Sequence, residues 1–390
     1  TNTGIEKSSF KISDNSQYNK SEIINCLIED NTGLIWTGTN SGLYKINRGK
    51  YYFKKYSQNN TSRKLTHNYI RAIHANKHNE IWVGTKAGYI NLLKYDAGIK
   101  EYVSYSSYPL LLTDGRLTSE YTTNALITLK NGSMLAAGEK GVFILNRKKK
   151  RFEPYQKHIF SSSFNMAWSL LEDNDNIWIG THSSGLYIYE RSSGKIFQYK
   201  ISTDKNTTNN CVWNIYKDHR NTIWIGTNDG LFEIINTNPS EIQYRKKYLL
   251  DDDNINVWDI KEDVHHNLWI GTTGYGVFRI SDNRQHVYHH NNLPNNMISA
   301  IMPIANGDIW ISTVEGLYKY SLNNNNFTLY KENDGTISND YNFKCAAADN
   351  NGVLFFGSKS GMISFLPTSI PSPDITSMPV AITSLTVAGT

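Results

Sequence analysis

The sequence has little charge and only one cluster of basic residues. Of its 390 residues 19% are charged, and the formal net charge is +5 at pH 7. The basic cluster at residues 147–151 lies between two predicted strands, so we interpret it as a solvated turn rather than a polyanion site. No nucleic-acid partner is therefore expected.

Cysteines and long apolar runs are also scarce. The three cysteines, Cys26, Cys211 and Cys345, are far apart and form no Cys-X-X-Cys pair, which argues against a disulfide framework and a cysteine-based zinc site. Each lies near the start of a predicted innermost strand, where a small buried thiol packs well. No apolar run approaches the ~18 residues of a membrane span, so this chain is expected to make no direct membrane contact.

The common catalytic and metal-binding motifs are missing. There is no Gly-X-Ser-X-Gly, no His-Glu-X-X-His and no Gly-rich phosphate loop. The adjacent histidines at 265–266 and 289–290 are poor joint ligands, because neighbours on a strand point to opposite faces. The aspartates at 251–253 lack EF-hand spacing. We expect no catalytic residue, no metal site and no cofactor.

What the sequence does contain is one unit repeated eight times. Each copy has a strand close to Ile-Trp-Ile-Gly-Thr, and the copies are 41 to 53 residues apart. The positions equivalent to the glycine are 38, 84, 137, 180, 226, 271, 312 and 357. A period of about 45 residues matches one four-stranded blade of a β-propeller. Aromatic residues make up 12% of the chain, which also favours strands.

Each unit has the same internal order of four strands. An apolar strand A ends in an acidic turn, the repeated strand follows as B, a tight turn leads to strand C, and a weaker strand D ends the unit. A single blade cannot bury both of its faces, whereas a closed ring of blades buries them and removes exposed sheet edges. We therefore predict an all-β propeller of four-stranded blades over residues 1–366.

The number of blades stays open at this point. Eight units predict either eight blades, or seven blades plus one further unit. The eighth unit has no clear outer strand, and we expect residues 9–12 to supply it. After the eighth unit, residues 367–378 form a predicted Pro-rich linker, and residues 379–390 are expected to be the first strand of a truncated β-sandwich domain.

The repeat resembles the two-component regulator propeller repeat. The pattern Asp-X4-Ile-Trp-Ile-Gly-Thr-X2-Gly-Leu-Phe is complete from Asp218 to Phe232, and the resemblance covers about residues 20–366. It implies the periplasmic sensor region of an inner-membrane hybrid two-component regulator, followed by a triple-tyrosine β-sandwich. It further implies that the chain binds an oligosaccharide to control polysaccharide use, that the parent receptor is a homodimer, and that the kinase lies outside this chain.

One position of strand A is predicted to form a ring around the central channel. It lies five residues before the acidic turn residue, and its occupants are Asn25, Arg71, Asn124, Trp168, Trp213, Trp258, Ser299 and Lys344. Tryptophan faces suit the apolar faces of sugar rings, and the two cations suit a carboxylate or sulfate. The predicted ligand-binding residues are these, without Ser299, together with His182 and Tyr275 in turns between strands B and C. An alternative is that the tryptophans only fill the channel as packing.

Two other functions are also considered. The first is a polysaccharide lyase or hydrolase on a propeller scaffold, which needs a His/Tyr/Arg or paired-carboxylate cluster that the ring position does not supply. The second is a platform for protein–protein interaction, for which flat and closed faces are expected. The sequence favours the sensor, and we expect no enzymatic activity in this chain.

Overall fold

The computed structural model describes residues 23–29, 35–40, 42–46, 52–112, 115–118, 121–156, 166–203, 210–250, 254–290, 293–322 and 325–370. The larger of two compact units is Tyr52–Ser369. The other contains one three-stranded antiparallel sheet of β1 (Ile24–Glu29), β2 (Ile35–Thr39) and β3 (Gly42–Ile46). This sheet corresponds to the first sequence unit.

The larger unit contains seven groups of four strands, which we call blades 1 to 7; five of them are separate sheets, and a parallel pairing of outer strands joins blades 1 and 2 into one sheet. It begins with β4 (Lys54–Tyr56). Blade 1 contains β5 (Ile70–Ala75), β6 (Glu80–Thr85), β7 (Tyr89–Asp96) and β8 (Glu101–Leu111). After the two-residue β9 (Leu117–Thr118), blade 2 contains β10 (Thr123–Thr128), β11 (Met134–Gly138), β12 (Gly141–Asn146) and β13 (Arg151–Pro154). Blade 3 contains β14 (Ala167–Asp173), β15 (Asn176–Thr181), β16 (Leu186–Glu190) and β17 (Lys195–Tyr199).

The remaining blades repeat this order. Blade 4 contains β18 (Val212–Lys217), β19 (Ile223–Thr227), β20 (Gly230–Asn236) and β21 (Gln243–Lys247). Blade 5 contains β22 (Val257–Glu262), β23 (Leu268–Thr272), β24 (Val277–Ile280) and β25 (Val287–His290). Blade 6 contains β26 (Ile298–Pro303), β27 (Ile309–Thr313), β28 (Leu317–Ser321) and β29 (Asn326–Tyr330). Blade 7 contains β30 (Tyr341–Ala348), β31 (Leu354–Ser358) and β32 (Met362–Phe365), with β4 as its fourth strand.

The seven blades close into a ring. Each innermost strand contacts the innermost strand of the next blade, and β30 of blade 7 contacts β5 of blade 1. The fold class predicted from the sequence is confirmed, and of the two predicted counts the structure shows seven blades plus one further unit. The compact unit starts at Tyr52, whereas the sequence placed the start of the propeller at residue 1.

The strand that completes blade 7 is β4, from the start of the propeller. Tyr56 pairs with Met362, is fully buried, and its hydroxyl lies 3.1 Å from Ser364 Oγ. The prediction that residues 9–12 supply this strand is wrong, because β4 already occupies that edge; residues 9–12 themselves lie outside the described residues. The predicted strand at 379–390 and the linker beyond residue 370 also lie outside them.

The packing between blades depends on the repeated strand B. The tryptophans of these strands, such as Trp224 and Trp269, are almost completely buried. Trp224 of blade 4 shares a hydrophobic cluster with Val257 and Ile260 of blade 5. At Gly226 a Cβ would lie 2.7 Å from the backbone oxygen of Val257, so only glycine allows the blades to approach this closely.

Helices contribute little to this fold. Among the described residues the helices are two single turns of 3₁₀ helix, η1 (Glu332–Asp334) and η2 (Pro367–Ser369), and neither could cross a membrane.

The predicted burial of the thiols is confirmed for Cys211 and Cys345 and is wrong for Cys26, which is exposed.

Candidate functional site

The predicted ring position lies at a β-bulge in every blade. In blade 1, Ile70 pairs with Thr85 and Ala72 pairs with Gly84, so Arg71 has no partner in strand B. In blades 2 to 6 the same register shift leaves one residue of strand A without a partner in strand B: Asn124, Trp168, Trp213, Trp258 and Ser299. A bulge turns the strand locally and redirects a side chain. The repeated bulge therefore explains how one strand position presents its side chains to the channel.

Blade 7 departs from this pattern because its bulge is longer. Its register shifts between Tyr341 and Ala346, so Phe343 and Lys344 both lie within the bulge. Asn25 occupies the same bulge in the smaller compact unit. It is not one of the seven residues of this ring, because seven innermost strands close the ring by themselves.

Three of the predicted residues form one aromatic cluster with Phe343. Trp213 and Trp258 are stacked with ring centroids 4.2 Å apart, and Trp258 stacks on Phe343 at the same distance. Trp168 meets both Trp213 and Trp258, with centroids 5.3 and 5.7 Å away. Only 9% of Trp168 and 7% of Trp213 is exposed, so these two rings mostly pack on one another. Trp258 and Phe343 keep more of their surface accessible.

Arg71 lies against this aromatic cluster without a carboxylate partner among the described residues. Its Cζ is 4.7 Å from the centroid of Trp168, which is a favourable cation–π distance. Its Nε and Nη2 donate to a single oxygen, Oδ1 of Asn124, at 3.3 and 3.2 Å. Asn124 in turn donates to the carbonyl of Ala167. The guanidinium is therefore held in place by neutral groups, and its positive charge is not neutralised.

Lys344 serves a different purpose from Arg71. Its Nζ donates to the carbonyl oxygens of Trp168 and Trp213, at 3.0 and 2.6 Å, and so joins blade 7 to blades 3 and 4 across the channel. Although part of the residue is exposed, burial of its amine lowers the pKa of Lys344 to about 7, and Asp259 only partly opposes this effect. Two of its three donor positions are thus used inside the protein.

A small cavity lies beneath the aromatic cluster. Its volume is about 170 Å³, and its polar lining includes Asn124, Ser169, Asn214, Lys261 and Lys344. Small-molecule pockets usually measure ~300–1,000 Å³. This cavity is therefore too small for an oligosaccharide, and the outer side of the aromatic cluster is the candidate surface for such a ligand.

That outer side is the upper face, formed by the loops that enter strand A and by the B–C turns. His182 lies in the turn after β15, is exposed, and its ring centroid is 5.4 Å from that of Trp213. Tyr275 lies in the turn after β23, and 43% of it is exposed. No contact between described residues joins its ring to the tryptophans. The structure thus brings His182, but not Tyr275, to the aromatic cluster.

Two residues at this site were missed by the sequence analysis. Phe343 was missed because aligning the units assigned one ring residue to each unit, whereas the longer bulge of blade 7 holds two. Tyr69, just before β5, lies 5.9 Å from Arg71 Cζ and 5.4 Å from Lys86 Nζ, measured to its ring centroid. The aromatic character of residue 69 was the available signal. Together these residues make the upper face aromatic and locally basic.

The comparisons with known proteins agree with the repeat. Residues 207–229 match the family model described as two component regulator propeller. Over 340 residues the chain is 27% identical to Histidine kinase P4 of Formosa agariphila, an alignment that covers 84% of this chain and 24% of the kinase. The predicted resemblance to two-component regulator propellers is confirmed.

Solved structures show the same fold. A protein assigned as the extracellular domain of a hybrid two-component system from B. thetaiotaomicron superposes with a TM-score of 0.70 at 24% identity, covering 94% of this chain and 50% of that one. A virginiamycin B lyase from Staphylococcus aureus gives a TM-score of 0.57 at 14% identity, covering 80% and 97%. At these identities the likeness concerns the fold alone. The chain spans about a quarter of the kinase and half of the extracellular domain.

Proposed function

We propose that this chain, which carries the propeller repeat of two-component regulators, is the periplasmic ligand-sensing domain of a hybrid two-component regulator. The match to the regulator propeller model and the similarity to a histidine kinase support this assignment. We further propose that its ligand is an acidic oligosaccharide and that binding controls polysaccharide use. The kinase then belongs to the part of the receptor outside this chain.

The observation that carries the ligand class is the environment of Arg71. Its guanidinium lies on Trp168 and directs two of its N–H groups at one amide oxygen. Other donors of this group are left for a ligand, and a guanidinium pairs best with a carboxylate or a sulfate. The exposed parts of Trp258, His182 and Tyr69 supply flat apolar surfaces beside it, which suit the faces of sugar rings.

A thermal-shift screen tests the ligand class. The panel contains uronate-bearing, sulfated and neutral oligosaccharides of equal length. A ligand that binds only the folded chain raises its melting temperature. We expect acidic oligosaccharides to raise the melting temperature and neutral ones to raise it less. The absence of a shift with every member of the panel would contradict oligosaccharide binding.

The same ligands separate a sensor from an enzyme. A sensor returns its ligand unchanged, whereas a lyase on this scaffold releases unsaturated products and a hydrolase releases new reducing ends. We expect neither kind of product after prolonged incubation with the protein. Continuous turnover at a rate proportional to protein concentration would contradict the non-enzymatic assignment.

A further inference from the structure

Two histidines and a glutamate lie together on the lower face, at the opposite ends of the innermost strands from the ring position. His219 is in the turn between β18 and β19 of blade 4. Glu262 is the last residue of β22, and His266 is in the turn that follows it in blade 5. One nitrogen of each histidine and one oxygen of the glutamate all lie within 4.8 Å of one another. The two turns thus bring three metal-ligating side chains from adjacent blades to one point.

The geometry of this cluster is close to that of a metal site. Oε1 of Glu262 is 2.5 Å from Nδ1 of His219 and 3.9 Å from Nδ1 of His266. A Zn²⁺ ion with bonds of about 2.0–2.2 Å in tetrahedral geometry holds its ligand atoms about 3.3 Å apart. The observed separations bracket this value. Metal binding therefore requires small movements that replace the hydrogen bond between His219 and Glu262.

The carboxylate of Glu262 is already oriented toward the histidines. Its second oxygen, Oε2, accepts the backbone N–H of His219 at 3.0 Å, which fixes the plane of the carboxylate and turns Oε1 toward the rings. Arg284 also approaches Oε1, at 3.4 Å, but it lies closer to Asp218, at 2.7 Å. Only 10% of the Glu262 side chain is exposed. The third potential ligand is thus a mostly buried anion that is held in position.

A second carboxylate, that of Asp282, lies near His219 and could accept a hydrogen bond from its ring. Oδ1 of Asp282 lies 3.7 Å from Nε2 of His219, on the other side of the ring from Glu262. Metal-ligating histidines usually donate their second ring N–H to such a group, which fixes the tautomer. Arg220 holds Asp282 in place at 2.7 Å. Nε of Arg220 also donates to Nε2 of His219 at 3.3 Å. Arg220 has to turn away when Nε2 carries a proton, because two N–H donors would then face each other.

His266 occupies a left-handed backbone position in its turn. Its φ is +61°, and six A–B turns of the propeller place a left-handed residue at this point, each donating its N–H to the carbonyl three residues earlier. The other five have asparagine or glycine there: Asn79, Gly132, Asn221, Gly307 and Gly352. Asparagine and glycine tolerate this conformation best. Among these six turns the histidine of blade 5 is therefore the exception, and its ring stacks on that of His219.

We propose that His219, Glu262 and His266 bind a divalent transition-metal ion of the Zn²⁺ class, which links the A–B turns of blades 4 and 5. Two imidazoles and one carboxylate select such an ion over Ca²⁺ or Mg²⁺, which prefer oxygen ligands. Three protein ligands leave one coordination position for water. The two imidazole rings are stacked, with centroids 3.8 Å apart, so one must rotate for both to face the ion. His266 has the room, because half of its side chain is exposed.

This site could not be predicted from the sequence for a physical reason. His265 and His266 were expected to be neighbours on a strand, whereas the structure places both in a turn. The ligands come from two adjacent units, and only the packing of blade 4 on blade 5 brings them together.

Calorimetric titration of the whole chain with Zn²⁺ tests the proposal, after treatment with a chelator. Cys26→Ser serves as the background for all variants, because Cys26 is an exposed thiol that also binds metals. The test variants are His266→Asn, which places the residue of blade 4 in the same turn position, and Glu262→Gln. The matched control is His265→Asn, which removes an exposed neighbouring histidine outside the cluster.

We expect one Zn²⁺ per chain in the background protein and in His265→Asn, with a melting temperature that rises on binding. His266→Asn and Glu262→Gln should weaken binding by at least about tenfold, the smallest loss usually seen when only an outer-shell partner of a metal ligand is removed. Because asparagine suits the turn, His266→Asn should melt no lower than the background protein without metal. Equal Zn²⁺ affinity in the background protein and both test variants, or an equal loss in His265→Asn, would overturn the proposal.

Discussion

At the scale of single residues, Lys344 has the most consequential environment. Its ammonium spans the channel and donates to backbone carbonyls of two distant blades. Burial lowers its pKa to about 7 from 10.5, with Asp259 opposing and Lys261 and Arg71 adding to the effect. An amine with a lower pKa in the folded than in the unfolded chain binds fewer protons when folded. Its contribution to stability therefore increases as pH rises between those two values.

The stability of the chain should depend on pH through Lys344. Between about pH 7 and pH 10 the stability of the wild-type chain should rise relative to that of Lys344→Met, which has a similar length and no titrating group. Well below pH 7 the difference should be constant, because the amine is protonated in both states. Urea unfolding at a series of pH values measures it. Parallel stability profiles of the two proteins across this range would contradict the assigned pKa.

The ring position shows how far single residues could be predicted. Aligning the repeats identified Arg71 and the three tryptophans, because each lies 12 or 13 residues before the repeated glycine of its unit. Alignment could not show that Lys344 turns inward to two carbonyls, since that depends on the length of the bulge in blade 7. Whether the tryptophans bind a ligand or only pack stays a prediction.

At the scale of strands, the close contact between blades explains the repeated glycine. A Cβ on Gly226 would meet the backbone oxygen of Val257 at 2.7 Å, and a backbone atom cannot move aside as a flexible side chain can. Gly226→Ala should therefore destabilise the chain by roughly 1–3 kcal/mol, the usual cost of overpacking.

Gly98→Ala is the matched control for this substitution. Its Cβ would meet only Oδ1 of Asp96, at 3.2 Å, in an exposed turn. Its free energy of unfolding should stay within about 0.5 kcal/mol of the wild type. Chemical denaturation measures both variants. Similar losses at the two positions would show that backbone freedom, rather than the approach of blade 5, explains the glycine.

The strand order within each blade followed from the sequence, but the closing strand did not. Strands B and C have strong local patterns, as in Ile223–Thr227 and Gly230–Asn236. In contrast, β4 has three residues and is defined only by its pairing with β32 near the other end of the propeller. The first unit has the same local pattern as the others, so only this long-range pairing separates seven blades plus one unit from eight blades.

At the scale of the whole molecule, closure by β4 predicts which truncations are tolerated. A chain that starts at residue 52 keeps β4, whereas one that starts at residue 58 leaves the outer edge of blade 7 unpaired. We expect the first to retain the cooperative melting of the propeller. The second should melt lower and aggregate more, and calorimetry with light scattering measures both. Equal stability of the two truncated chains would contradict closure by this strand.

The proposed recognition of an acidic oligosaccharide depends on the same closed ring, because the ring places Arg71 beside the aromatic cluster. The most direct test is the preference for an acidic over a neutral oligosaccharide of equal length, measured by calorimetry for the wild type and Arg71→Gln. Lys148→Gln is the control, since it removes an exposed positive charge in blade 2 that has no role in the proposed site.

A charge-assisted hydrogen bond contributes about 1.5–3 kcal/mol, so the wild type and Lys148→Gln should bind the acidic ligand at least about tenfold more tightly than Arg71→Gln does. Affinity for the neutral ligand should be nearly the same in all three proteins. An acidic-ligand affinity unchanged in Arg71→Gln would contradict the claim that this ring position recognises the ligand.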